Sequence, residues 1–273
     1  MNAESKDVIH SRLWEEEASE DDPFTAQACF CSGYDVYGEI LELASYPEYL
    51  YLLFRGERPA PPSARALEIL AIAIANPGPR DPSAHAAMCA GVSGSPGAAV
   101  LMAALAAGAG VSGGAREVFL CMNLWNTCGR NPQAWHTALL TPPPAGKMEV
   151  WPVAEHPPGF SPYARSCAIP VLQTLAALAR QLPGGNTAWL HTQRAAMEEA
   201  SGHPLAMTGV IAAALGDLGF APATGEMLTL LLRLPGAAAH ALEQRESGFR
   251  HFPFFAIDII NDPGPPAAPG ETP

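Results

Sequence analysis

Thirty consecutive residues, Ala86 to Ala115, carry no charged side chain. Such a run belongs either in a bilayer or in the middle of a protein. Ser93-Gly94-Ser95-Pro96 interrupts it, and Gly108, Gly110, Gly113 and Gly114 cluster at its end. The unbroken apolar piece, Ala98 to Ala107, is too short to cross a hydrocarbon layer of about 30 Å. The expectation is therefore a pair of helices apolar all round, which need the centre of a large domain and a neighbouring surface to cover them. Small Ala and Gly side chains allow close helix approach, so part of that surface is expected to meet a second subunit.

The rest of the chain reads as helix too. Tyr37–Ala44, Tyr46–Gly56, Pro62–Ala75, Ser83–Gly91, Pro96–Ala109 and Ala115–Gly129 are rich in Ala and Leu, and period-two runs of Val, Ile and Thr are missing. Cys167–Gln181, Asn186–Ser201, Leu205–Leu218 and Ala223–Glu243 follow. Between the two groups, Pro132 to Pro162 contains Pro142-Pro143-Pro144, Pro152 and Pro157-Pro158 and reads as an extended connector. The fold class is all-α. At 273 residues the chain has room for one large domain or two unequal ones.

The formal charge of −12 and the lack of a basic stripe argue against nucleic acid as a partner. Residues 1–28 form an acidic segment expected to be solvated and disordered; it lacks the basic start and apolar core of a secretory signal. Residues 261–273, rich in Pro and Gly, read as a disordered tail. Six cysteines without a C-x-x-C spacing point to buried thiols in a reducing cytoplasm rather than to a metal site. No cofactor and no metal are expected.

Arg233 sits inside the Leu/Ala-rich stretch Leu230 to Leu242. A charge in an apolar helix is costly unless paired. Glu243, Glu226 and Asp217 are candidate partners, and a bound anion is the alternative.

Several segments together resemble the citrate synthase family, including citryl-CoA lyases and the carboxy-terminal part of ATP-citrate lyase. Gly33-Tyr34-Asp35 and Tyr51-Leu52-Leu53-Phe54-Arg55-Gly56-Glu57-Arg58-Pro59 are similar to its "GYD … YLLF-GE-P" signature. Ser83-Ala84-His85 is similar to its "SAH" helix start, and Ser112-Gly113-Gly114-Ala115 to its "HGGA" motif. Glu155-His156-Pro157 stands where the family has "GHR" or "GHP", and the Arg233 segment where it has "SR-x-x-G".

The resemblance implies a helical dimer, homo- or heteromeric, with a cleft between a large domain (29–125 and 210–260) and a small one (126–209). It implies a citrate-type polycarboxylate, or its CoA thioester, as ligand. His156 then polarises the ketoacid carbonyl or citrate hydroxyl, and Ser112 stands in the enol site. Arg165, Arg233 and Arg250, the last donated from the partner subunit, clamp carboxylates, which arginine forks hold in paired charge-assisted bonds. The family's catalytic aspartate falls at or next to Leu205, which cannot act as a base; His203 is a candidate substitute. The "DHG" histidine region is Asn76-Pro77-Gly78. Two readings follow: altered C–C lyase or synthase chemistry, or a noncatalytic subunit that pairs with an active paralogue or senses a metabolite.

Overall fold

The computed structural model describes residues 11–140 and 156–252. Glu155, the Pro142–Pro144 run and the tail from Asn261 lie outside the described residues.

The chain begins with a small antiparallel sheet in the order β1 (Glu15–Ala18), β2 (Ala26–Cys31), β3 (Tyr34–Asp35). The expectation of an unstructured acidic segment to residue 28 is corrected here. The segment is indeed solvated, but Glu15 to Glu17 pair with Ala28 to Phe30. The turn between them is closed by Asp22, which accepts from the Phe24 amide and the Thr25 hydroxyl. Alternation also tucks Cys29 and Cys31 inward, the period-two signature of a half-buried strand. A helical turn at Val36–Ile40 and α1 (Leu41–Leu43) lead into the helices.

From there the structure is helical: α2 (Tyr46–Arg55), α3 (Pro61–Ala75), α4 (Pro82–Val92), α5 (Gly97–Gly108), α6 (Ala115–Cys128), α7 (Pro132–Leu140), α8 (Ile169–Gln181), α9 (Asn186–Ser201), α10 (Met207–Asp217) and α11 (Pro222–Ser247). The starts follow local chemistry. Ser45 and Glu48 form a capping box at α2, with Pro47 in its first turn. Asp81 caps α4 by accepting from the Ser83 amide at 2.9 Å. Helix α7 corrects the reading of Pro132 as the start of an extended connector. The Asn131 side chain accepts from the Gln133 and Ala134 amides, and Pro132 occupies the first helical position, where a missing N–H costs nothing.

The larger core lies where α3, α6, α8, α9, α10 and α11 meet, with Leu67, Leu70, Val118, Leu175, Leu190, Leu215 and Leu228 buried in it. Helix α10 is apolar all round and nearly every residue of it is buried. A smaller core joins α4, α5 and α11 through Ala87, Val100, Ala104, Ala237 and Ala241. Among the described residues no helix is long and apolar enough to cross a membrane.

Two close approaches set the site. Helix α11 contains Pro235 and Gly236. A Cβ at Gly236 would lie 2.4 Å from the Ala75 carbonyl and 2.6 Å from Asn76 Cα, so glycine lets α11 press against the end of α3. Gly159, at φ +93°, faces Gly209 at the start of α10; a Cβ there would lie 2.8 Å from Cys121 Sγ and 3.0 Å from Gly209 Cα. The loop that carries His156 is thereby seated on α6 and α10.

Candidate active site

The site is built by three short segments around α6. The first is the turn Ser112–Gly114 that opens it. The second is the loop from His156 to Ser161, and the third runs from His203 to Thr208 into α10. The second and third are laced together. Ser161 donates its amide to the Pro204 carbonyl at 2.8 Å, and Ala206 donates to the Gly159 carbonyl at 2.9 Å. Phe160 and Leu205 form an isolated antiparallel bridge.

Glu117 is at the centre. It lies in the first turn of α6 and is 1% exposed. Its Oε1 accepts from the Gly159 amide and from the Thr208 hydroxyl, each at 2.8 Å. Its Oε2 accepts from the Gly113 amide. His156, 5% exposed, brings Nε2 to 4.0 Å from Glu117 Oε1. The His203 ring stands edge-on to that of His156, with centroids 6.3 Å apart. One carboxylate thus joins all three segments and faces the candidate histidine. Cys121, one turn along α6 and under Gly159, is wholly buried. Burial, with the Glu117 charge second, pushes its thiol far above the usual range.

Arg233 is buried on α11, and its partner is none of the three carboxylates expected. Asp81 forms the ion pair with Nη2, while Nη1 donates to the Gly113 carbonyl at 3.1 Å. The expected partners are occupied elsewhere: Glu226 with Arg116, Glu243 with His240, and Asp217 at the start of α9, where it accepts from the Asn186 and Thr187 amides. Asp81 lies far from Arg233 in sequence. The two meet because Gly236 seats α11 against the α3–α4 turn. The cavity beside Arg233, lined by Ser83, Gly108 and Leu230, holds about 10 Å³, room for a single water at most. As it stands, Arg233 faces Asp81 and not an open anion pocket.

The other expected residues are only partly convergent. Ser112 is exposed beside Gly113, and Arg165 and Arg250 are exposed, on the loop before α8 and on the single turn after α11. Among the described residues neither arginine makes an ion pair. Leu205 is buried, and its amide donates to Glu198 Oε1 at 2.9 Å. No carboxylate takes its place on that segment.

Two groups escaped the sequence reading. Glu117 is the same kind of signal as Arg233, a charge on the apolar face of a helix, but an adjacent Arg116 masked it. His240 reaches from α11 to Asn76, with Nε2 2.9 Å from Asn76 Oδ1 and Nδ1 3.2 Å from Glu243 Oε2. A histidine from another helix therefore contacts the segment in which the expected "DHG" histidine is missing.

This architecture is the all-α, citrate synthase-like fold. Citryl-CoA lyase from Hydrogenobacter thermophilus superposes with a TM-score of 0.68 at 18% identity, over 94% of this chain and 98% of that one. ATP citrate lyase from Methanothrix soehngenii, in complex with citrate and coenzyme A, gives a TM-score of 0.69 at 15% identity. So does the D541A mutant of the Methanosaeta concilii enzyme in complex with (3S)-citryl-CoA. This chain covers 94% of its own length but 43% of each ATP citrate lyase chain. No family model and no curated protein matches the sequence. At these identities the likeness fixes the fold.

Proposed function

We propose that this chain belongs with the citryl-CoA lyases and binds a citrate-type polycarboxylate, or its CoA thioester, beside His156, where it cleaves the citryl C–C bond. The observation that carries this reading is the buried His156–Glu117 pair, 4.0 Å apart, within a fold that matches a citryl-CoA lyase over almost its whole length. Citrate, coenzyme A and (3S)-citryl-CoA in the related ATP citrate lyase structures support the same ligand class.

Cleavage begins with loss of the citryl hydroxyl proton, which His156 accepts. The C–C bond then breaks as the ketoacid carbonyl forms, and its electrons pass to the thioester enolate. Ser112 donates to the enolate oxygen. Arg165 and the partner subunit's Arg250 hold carboxylates, and Arg233 joins them by exchanging Asp81 for the ligand. His203, protonated at the start, gives its proton to the enolate carbon in place of the carboxylate that Leu205 lacks, and takes up the proton that His156 had accepted, so that both rings end as they began.

The cleft divides the large domain (29–125 and 210–260) from the small one (126–209). The apolar surface of α4, α5 and α11, with Met102 62% and Leu242 61% exposed, pairs with a second subunit. Leu205 favours a second reading, in which ligand is held without turnover by a subunit that assists a paralogue or senses a metabolite.

The test is incubation with (3S)-citryl-CoA, with oxaloacetate release followed by coupled reduction. Release that disappears in His156→Gln supports cleavage. Stabilisation by citrate and coenzyme A without release supports the noncatalytic reading. Neither binding nor release refutes both.

A further inference from the structure

Glu117 is a buried carboxylate, and among the described residues no lysine or arginine pairs with it. Both lone pairs of its Oε1 are taken, by the Gly159 amide and the Thr208 hydroxyl, and Oε2 accepts from the Gly113 amide. His156 Nε2 stands 4.0 Å from Oε1, beyond hydrogen-bond reach. The imidazole therefore meets the carboxylate as a charge. A negative charge at that distance stabilises an N–H dipole aimed at it and repels a lone pair in the same position. Among the described residues, the His203 ring stands edge-on to His156 with its centroid 6.3 Å away, and the Arg233 guanidinium lies on the far side of Gly113, on its carbonyl.

We infer that Glu117 is a positioning residue that keeps the proton of neutral His156 on Nε2 and so leaves Nδ1 as the lone-pair acceptor. The two ring nitrogens are distinct, and a carboxylate 4.0 Å from Nε2 favours the tautomer that carries its proton there. The proton-accepting atom of the candidate site is then Nδ1. That consequence rests on the proposed role of His156, whereas the tautomer itself does not. Glutamine at 117 cannot substitute. It has one carbonyl oxygen for the Gly159 and Thr208 donors, and its amide would then oppose the Gly113 N–H. It also removes the charge.

The experiment is long-range ¹⁵N–¹H correlation of histidine-labelled protein without ligand, above the ordinary histidine range of about 6.5, with His156 assigned by its loss in His156→Gln. The expected wild-type signal is Nε2–H. Because free imidazole mildly prefers the same form, Glu117→Gln carries the comparison. Its Nε2–H to Nδ1–H ratio should fall by about tenfold, the order that one nearby charge supplies in a partly screened interior. Thr208→Val keeps the charge and frees a lone pair of Oε1. It should retain Nε2–H and move that proton downfield as a hydrogen bond forms. An Nδ1–H wild type, an unchanged ratio in Glu117→Gln, or an Nδ1–H form in Thr208→Val overturns the inference. Should Glu117→Gln fail to fold, the downfield move of the Nε2 proton in Thr208→Val decides it, and an unmoved proton overturns the inference. Loss of citryl-CoA cleavage alone would leave the tautomer intact, so failure of the proposed function is read separately.

Discussion

Arg233→Leu is the perturbation that most directly tests how the α11 arginine is held. The Arg233 side chain is 10% exposed and that of Asp81 15%. Truncating one partner of a buried ion pair typically costs about 3–5 kcal/mol, because the other charge is stranded. Asp81 keeps some solvent and two bonds from Ser83, its amide and its hydroxyl, and leucine suits the apolar stripe. The expected loss is therefore nearer about 2–3 kcal/mol. At about 2–4 °C per kcal/mol for a chain of this size, the melting temperature should fall by about 4–12 °C. Asp81→Asn keeps a good helix cap and removes the charge. The double variant should recover part of the loss, with a coupling energy of about 1–3 kcal/mol. The assay is a thermal-melt double-mutant cycle in ligand-free protein, repeated with citrate. An Arg233→Leu variant as stable as wild type, or strictly additive costs, would refute the pairing as a stabilising element.

Four further outcomes are expected. Citrate at about one hundred times its dissociation constant should stabilise the wild type by about 2.7 kcal/mol; Arg165→Ala and Arg250→Ala should weaken that effect without changing the ligand-free melt, since both side chains are exposed. Gly159→Ala should lower stability by more than about 2 kcal/mol, combining a positive φ with a Cβ 2.8 Å from Cys121 Sγ; a silent substitution by melting would contradict the seating of the loop. At mildly alkaline pH an alkylating reagent should spare Cys121 in native protein, where its buried thiol is held protonated, and modify it after denaturation; mass spectrometry of the labelled peptides reads this. Analytical ultracentrifugation should find a dimer at micromolar concentration; a monomer would contradict the pairing of α4 and α5 with a second subunit.

Much of the fold was legible because its signals are local. Helix α9 begins and ends where Ala, Leu and a following Gly202 indicate, and the other boundaries shift by a few residues, as fraying ends do. The strand Glu15–Ala18 was not legible, since three glutamates carry no apolar alternation and its order comes from pairing with β2. Helix α7 was hidden by the prolines around it, although Asn131-Pro132 is itself a start signal. At the site, the charge in α11 was readable as needing a partner, but not which one. Asp81 and Arg233 are brought together by the missing Cβ of Gly236, a tertiary effect. His156 was reached through a motif, whereas the carboxylate it faces was not.

Gly113 gives its carbonyl to Arg233 and its amide to Glu117. A single residue of main chain thus lies between a buried cation and a buried anion that never touch. Its φ of +73° rules out proline, and a Cβ there would meet nothing within 4 Å. A survey by side-chain truncation would therefore pass over the position that carries the electrostatic connection between two helices. Only replacing the peptide linkage itself, with an ester in place of the Gly113 amide, would reveal it, by taking away one donor while leaving every side chain in the cleft as it was.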